Sequence, residues 1–262
     1  MSGFSADWLD LRAPADAAAR DAGLLAEVAR LAPRRILDLG CGTGAMLATL
    51  RPHLAPGTSW VLVDGDAGLL EEAACRGAAL RERDPDLNVT CLHRNLVEDP
   101  LPLAGALPDL VTATALFDLV SAPWLERFLD ALAARRLPLY AALSYDGVMR
   151  WEPTHSRDAE ITAAFNRHQQ TEKGFVGPAL GPLAPGAMQT GLEARGYRVL
   201  TARSPWRVGP EQAAMIAALI DGIASAAQEE GSVSDWQDWQ AARQAETRLC
   251  VIGHTDLLAL PG

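Results

Sequence analysis

The stretch ILDLGCGTGAMLATL, residues 36–50, sets three glycines, Gly40, Gly42 and Gly44, between a short apolar run and a helix-like one. Glycine inside regular structure costs about 0.5–1 kcal/mol relative to alanine. Three of them at alternate positions mark a place where the backbone must come close to something. The run before them, RRILDLG at 34–40, reads as a buried strand, and AMLATLRPHL reads as a helix stopped near Pro52. The glycines therefore occupy a strand-to-helix turn.

The same rhythm extends outward. Apolar runs at 59–66, 88–96, 108–117 and 137–145 read as further strands, separated by helical segments such as AGLLEEAACRGAALRERD and APWLERFLDALAAR. Alternating strand and helix predicts a parallel sheet with helices on both faces, and right-handed crossovers make it doubly wound. Upstream, residues 5–31 read as helical, with Pro14 expected to split them near the start of a second helix. After Tyr145 the rhythm breaks. Residues 146–185 read as irregular or helical, 187–196 as a helix and 197–204 as a sixth strand. Two helices over 210–230 and 234–248 precede a seventh strand at 248–255. The expectation is a single domain: a helical cap over 1–31, a ligand-binding core over 32–145, and a substrate cover with the last strands and helices over 146–262.

Composition narrows the function. The chain has 262 residues, 49% of them hydrophobic, enough for one large core. A net charge of −10 argues against a strong nucleic-acid binder, which gains affinity from clustered Lys and Arg. No apolar run is long enough to predict a membrane span, and the opening MSGFSADWLDLR is too polar for a signal peptide. Cys41, Cys75, Cys91 and Cys250 show neither CxxC nor regular spacing, which fits reduced, mostly buried thiols in a cytoplasmic protein. The histidines at 53, 93, 155, 168 and 254 form no HxxxH pair, so no metal site is expected. Trp206, Trp236 and Trp239 cluster late, the last two three apart on one helix face, and core packing is favoured for them over an aromatic pocket wall.

In a doubly wound sheet, ligands bind at the carboxyl ends of the strands near the switch point. The glycine turn ends the first strand. Asp64 ends the second, 24 residues beyond Gly40, where a carboxylate can accept hydrogen bonds from a ribose diol. The spacing is G-x-G-x-G with Asp38 two residues ahead, not the dinucleotide G-x-G-x-x-G. LDLGCGTG closely resembles the first motif of class I S-adenosylmethionine-dependent methyltransferases, and VLVDGDAGLLEEA resembles their second-strand motif. HRNLVEDPLP falls where the family often has an aspartate followed by an apolar residue; here the pair is Asn95 and Leu96. PDLVTATALFDL resembles the fourth-strand motif. The likeness covers roughly residues 30–145.

The resemblance implies a seven-stranded Rossmann-like sheet, mostly parallel with one antiparallel C-terminal strand, and S-adenosyl-L-methionine as cofactor. Its implied cofactor site comprises Asp38, Gly40, Cys41, Gly42 and Gly44, then Asp64, Gly65 and Asp66, then Asn95 and Leu96, with Ala113 and Thr114 near the methionine end. By position, Arg12 and Arg20 are candidates to pair with the cofactor carboxylate. Asp66 also suits a helix N-cap, and Arg12 and Arg20 also suit a solvated helix face.

Methyl transfer from a sulfonium depends mainly on placement and exclusion of water, with a base needed only where the nucleophile must lose a proton. The acceptor pocket is expected from the N-terminal helices, residues 114–124, residues 145–185 and the helices after 205. Within those parts His168, Asp118 and Tyr145 are the candidate catalytic groups, with His155 a further residue of interest. The fourth-strand motif lacks the N/D-P-P-Y signature of enzymes acting on base amines and amides. A small-molecule acceptor is therefore expected rather than nucleic acid or a membrane. Two readings stay open beside it: a non-catalytic nucleoside-binding protein serving a partner, and an NAD(P)-dependent oxidoreductase. A homodimer is also left open.

Overall fold

The computed structural model of the chain describes residues 5–262. Two helices lead in. In α1 (Ala6–Ala19) the Ser5 hydroxyl accepts from the Trp8 amide, and in α2 (Ala22–Leu31) the Asp21 carboxylate accepts from the Leu24 amide. The break lies at Arg20–Asp21, not at Pro14 as expected. Pro14 sits inside α1, whose flanking Arg12, Ala15 and Asp16 are buried. Tertiary packing holds that helix through the proline, and the Asp21 cap sets the boundary.

The strands are β1 (Arg35–Leu39), β2 (Ser59–Asp64), β3 (Asn88–His93), β4 (Leu110–Thr114), β5 (Leu139–Glu152), β6 (Tyr197–Arg203), β7 (Trp206–Val208) and β8 (Leu249–Pro261). Between them lie α3 (Ala45–Leu50), α4 (Ala67–Arg81), α5 (Ala122–Ala134), α6 (Asp158–Gln169), α7 (Ala184–Glu193), α8 (Ala213–Glu230) and α9 (Trp236–Glu246). Among the described residues these eight strands share one sheet in the order β3-β2-β1-β4-β5-β8-β6, with β7 also paired to β8. The pairs from β3 through β5 are parallel, and β8 runs antiparallel to β5, β6 and β7. This is the Rossmann-like sheet that was expected, with one short strand more. The order reverses between β1 and β4, and that switch point opens a crevice at the strands' carboxyl ends.

Alternation along the strands divides the core. Leu37, Leu39, Val63 and Val111 face α5 and α7, packing on Phe128, Leu129 and Met188. Ile36, Trp60, Leu62 and Leu110 face the other way, on Val28, Met46, Leu47 and Leu70. A third cluster joins α1, α6, α8 and α9 to the outer halves of β5 and β8. There Trp239 is fully buried, edge-on to Trp151 at 5.5 Å, and its indole N–H donates to Asp158 Oδ1 at 2.9 Å. Core packing, favoured for this tryptophan, is what the structure has.

β5 and β8 run past their expected ends, to Glu152 and Pro261. Asp146-Gly147 and Asp256 lie just beyond the expected ends. β5 absorbs the first pair with register shifts on either side of Tyr145 and a left-handed Leu143 at φ 56°. Asp256 is wholly buried and becomes a node. It accepts from the Leu143 amide at 2.8 Å, the Ser204 hydroxyl at 2.6 Å, the Tyr140 hydroxyl at 3.2 Å and the Asp21 amide at 3.3 Å. A buried carboxylate with four donors is satisfied, so the strand continues through it. No helix among the described residues is long and apolar enough to cross a membrane.

Candidate active site

The glycine turn has the geometry its sequence demands. Gly40 and Gly42 adopt φ of +60° and +53°, in the left-handed region. A Cβ at Gly40 would stand 3.1 Å from Leu116 Cδ1, and one at Gly42 would stand 3.0 Å from Leu9 Cδ1. Both restraints come from side chains arching over the turn. Asp64 locks the turn to β2: Oδ2 accepts from the Gly42 amide at 2.9 Å and Oδ1 from the Asp66 amide at 3.0 Å. Burial pushes its carboxyl upward, against the opposing pull of those amides. Each oxygen keeps a further lone pair for a hydroxyl donor.

Above the turn lies a cavity of about 650 Å³. Gly40, Gly42, Asp64, Gly65, Asn95, Leu96 and Thr114 form its floor and far wall, and Leu9 and Arg12 of α1 reach over it. Lys173 and Phe175 close another side from the loop after α6, a contribution the sequence reading did not single out. Phe175 stacks edge-on to Trp124 at 5.3 Å, and its carbonyl accepts from the Ser121 hydroxyl at 2.9 Å.

Behind this lining stand Asp38 and Arg20. Asp38 is 1% exposed; Oδ1 accepts from the Thr112 hydroxyl at 2.8 Å, while Oδ2 has no partner. Burial raises its carboxyl to about 7. Arg20 is also buried. One of its amino groups donates to Thr114 Oγ1 at 3.1 Å, and Nε and the other amino group have no partner. A half-satisfied buried carboxylate and guanidinium are costly for the fold alone. Neither lines the cavity, and each attracts the other's charge from behind the wall.

The remaining predicted cofactor residues divide. Cys41, Gly44 and Ala113 build the turn and the sheet without lining the cavity. The Cys41 amide donates to the Val63 carbonyl at 2.9 Å, and burial holds its thiol far above the usual range. Asp66 does not line the cavity either. It is the N-cap of α4, its Oδ1 accepting from the Gly68 and Leu69 amides, so the capping alternative describes its position. Asn95 lines the cavity but is engaged: Oδ1 accepts from the Val97 amide at 3.0 Å and Nδ2 donates to Glu98 at 3.1 Å.

A second cavity of about 330 Å³ adjoins the first, and Arg12, Ala115 and Leu119 line both. Its walls come from α1, the loop after β4, β5, α6, β7, α8 and β8. Tyr145 and Asp118 belong here. The Tyr145 hydroxyl donates to Asn166 Oδ1 at 2.7 Å, and burial keeps the phenol protonated. Asp118 is half-buried with Oδ1 sheltered and without a hydrogen-bond partner, and desolvation raises its carboxyl to about 6. His254 also lines this cavity, 4.6 Å from the Trp206 ring. Burial, with the charges of Arg12 and Arg20, lowers it to about 3, so it is a neutral imidazole. In the sequence it looked like one more histidine in an apolar strand, with no motif around it.

His168 does not stand where a catalytic role was expected of it. It lines neither cavity. Its Nε2 lies 3.1 Å from Glu229 of α8, and Nδ1 lies 3.5 Å from Lys173 Nζ. The last turn of α6 points it at the neighbouring helix, leaving Lys173 as the residue that reaches the cavity. His155 is likewise remote, closing the turn into α6 by accepting from the Arg157 amide. Among the described residues no cluster could hold a metal ion.

Residues 36–138 match the family described as a methyltransferase domain. No curated protein matches the sequence. A cyclopropane-fatty-acyl-phospholipid synthase-like protein from Lactobacillus casei is 16% identical with a TM-score of 0.53, covering 99% of this chain and 96% of its own. The YcgJ protein from Bacillus subtilis is 12% identical with a TM-score of 0.51, covering 91% and 97% respectively. At such identities the structural likeness speaks for the fold.

Proposed function

We propose that the chain binds S-adenosylmethionine in the larger cavity and methylates a small molecule held in the smaller one; the match of residues 36–138 to the methyltransferase domain family and the Rossmann-like fold support this reading. The observation that carries this reading is that the two cavities meet at Arg12, Ala115 and Leu119. One ligand can thus be presented to the other without leaving protein.

When bound, S-adenosylmethionine supplies a methyl group on a good sulfur leaving group. The chain's own residues bind, orient and shield. Asp64 accepts from ribose hydroxyls while keeping the turn closed. Asp38 and Arg20 stand behind the wall at the amino acid end, where Arg20 fixes the Thr114 hydroxyl. Asn95 and Leu96 flank the adenine position. Leu9, Arg12, Lys173 and Phe175 cover the site and exclude water, which strengthens every polar contact beneath them. Asp118, with its carboxyl near 6, is mostly ionised at neutral pH and is the group on the second cavity placed to take a proton from an acceptor.

Methyl-labelled S-adenosylmethionine offered with separate metabolite, RNA and protein fractions tests the acceptor class. Label is expected in the metabolite fraction, and transfer only to RNA or protein would overturn the small-molecule assignment.

A further inference from the structure

We infer that the smaller cavity recognises an organic ammonium ion: a primary or secondary amine carried on an aromatic or branched apolar body. Four ionisable side chains stand on its walls, Arg12 from α1, Asp118 from the loop after β4, Tyr145 from β5 and His254 from β8. The charge of Arg12 is matched, since its Nε donates to Asp16 Oδ2 at 2.9 Å and its guanidinium lies 5.5 Å from the Trp206 ring. Asp16 is fixed in turn by the Trp206 indole N–H at 2.9 Å. Tyr145 is spent on Asn166. His254 is neutral, with a buried Nδ1 that has no partner. Asp118 is the carboxylate on these walls; the Arg12 charge attracts it without a hydrogen bond, and its Oδ1 is buried without a donor.

A lone carboxylate oxygen in an apolar wall is expensive, and the ligand that relieves it best is a cation with N–H donors. The rest of the lining points the same way. Trp8, Tyr145 and Phe165 line the cavity beside the Trp206 ring that Arg12 already covers, and aromatic rings attract cations. Leu143, Met149, Leu219 and Ile223 supply apolar contact for a carbon body. A carboxylate ligand would face Asp118 with like charge, and an alcohol would bring no opposite charge to it.

The inference rests on the proposed function for treating this cavity as the acceptor's. Its test is a binding measurement made without S-adenosylmethionine, so it can fail while the methyltransferase reading stands. The protein is titrated at pH 7.5 with 2-phenylethylamine, 2-phenylethanol and 3-phenylpropionate. Heat is followed by calorimetry, and the Trp8 and Trp206 environment by fluorescence. The amine is expected to bind at least about tenfold more tightly than the alcohol, and the propionate not to bind. Asp118→Asn is expected to abolish the amine's advantage and leave the alcohol's affinity unchanged, with folding checked by circular dichroism. The wild-type comparison decides the matter even if that variant does not fold. Equal or tighter binding of the alcohol or propionate, an amine preference that survives in Asp118→Asn, or no signal from any of the three up to millimolar concentration would each overturn the inference.

Discussion

Asp64→Ala loses more than about a hundredfold of the affinity for S-adenosylhomocysteine and melts at a lower temperature, while the fold is retained. A hundredfold is about 2.7 kcal/mol. The carboxylate has two tasks at once. It receives the Gly42 and Asp66 amides at 2.9 and 3.0 Å, and it lines the cavity. Removing it strips the ribose of an acceptor and leaves two sheltered amides without one, at about 1–3 kcal/mol for each that stays unsatisfied. The turn then relaxes away from β2, and Gly42 no longer presents its backbone to the ligand. Asp64→Asn fills the same space but sets an amide N–H₂ against one of the two donors, so it should fall between wild type and Asp64→Ala. Calorimetry gives the affinity and thermal denaturation the stability. Unchanged affinity in Asp64→Ala would place the ligand elsewhere.

Asp118→Asn is expected to do the opposite to stability, and to do so only above acid pH. Burial raises the Asp118 carboxyl from 3.8 to about 6. Between those values the folded protein holds a proton that the unfolded chain has released, so ionisation costs stability progressively as pH rises through that window. At about 1.36 kcal/mol per unit the full cost is roughly 3 kcal/mol at pH 8. Asparagine removes that cost, giving a gain in melting temperature of roughly 5–10 °C. The gain should shrink through pH 6 and vanish near pH 4. His254 contributes in the other sense: its lowered value of about 3 means stability is lost as pH falls through its unfolded range. It is present in both proteins and cancels in their difference. Melting curves at pH 4, 6 and 8 check this, and a difference independent of pH would contradict the buried, donor-free state of the carboxylate. A residue that destabilises its own fold is suited to a ligand, which links this result to amine binding.

What could be read in the sequence was what depends on neighbours along the chain. The strand–helix alternation up to Tyr145, the glycine turn and the acid at the end of β2 all follow local patterning, and the structure has each of them. The extra cover was harder because its cues conflict with its packing. Asp256 lies just beyond the expected end of the last strand but is buried with four donors inside β8. Pro14 looked like a helix start but is held inside α1 by the burial of its neighbours. The second cavity draws on residues from Trp8 to His254, so spacing says little about it. That is why His168, in a polar run that looked like a pocket, faces Glu229, while His254, in an apolar strand, faces the cavity. Asp118 and Tyr145 were singled out from segments expected to cover an acceptor, and both stand on the second cavity's wall.

The most direct test of the central claim is a parallel calorimetric titration of the protein with S-adenosylmethionine, S-adenosylhomocysteine and NADH. Micromolar binding of both adenosyl compounds and none of NADH is the predicted result. Binding of NADH alone, or of none of the three, would contradict the assignment of the glycine turn and Asp64 to S-adenosylmethionine.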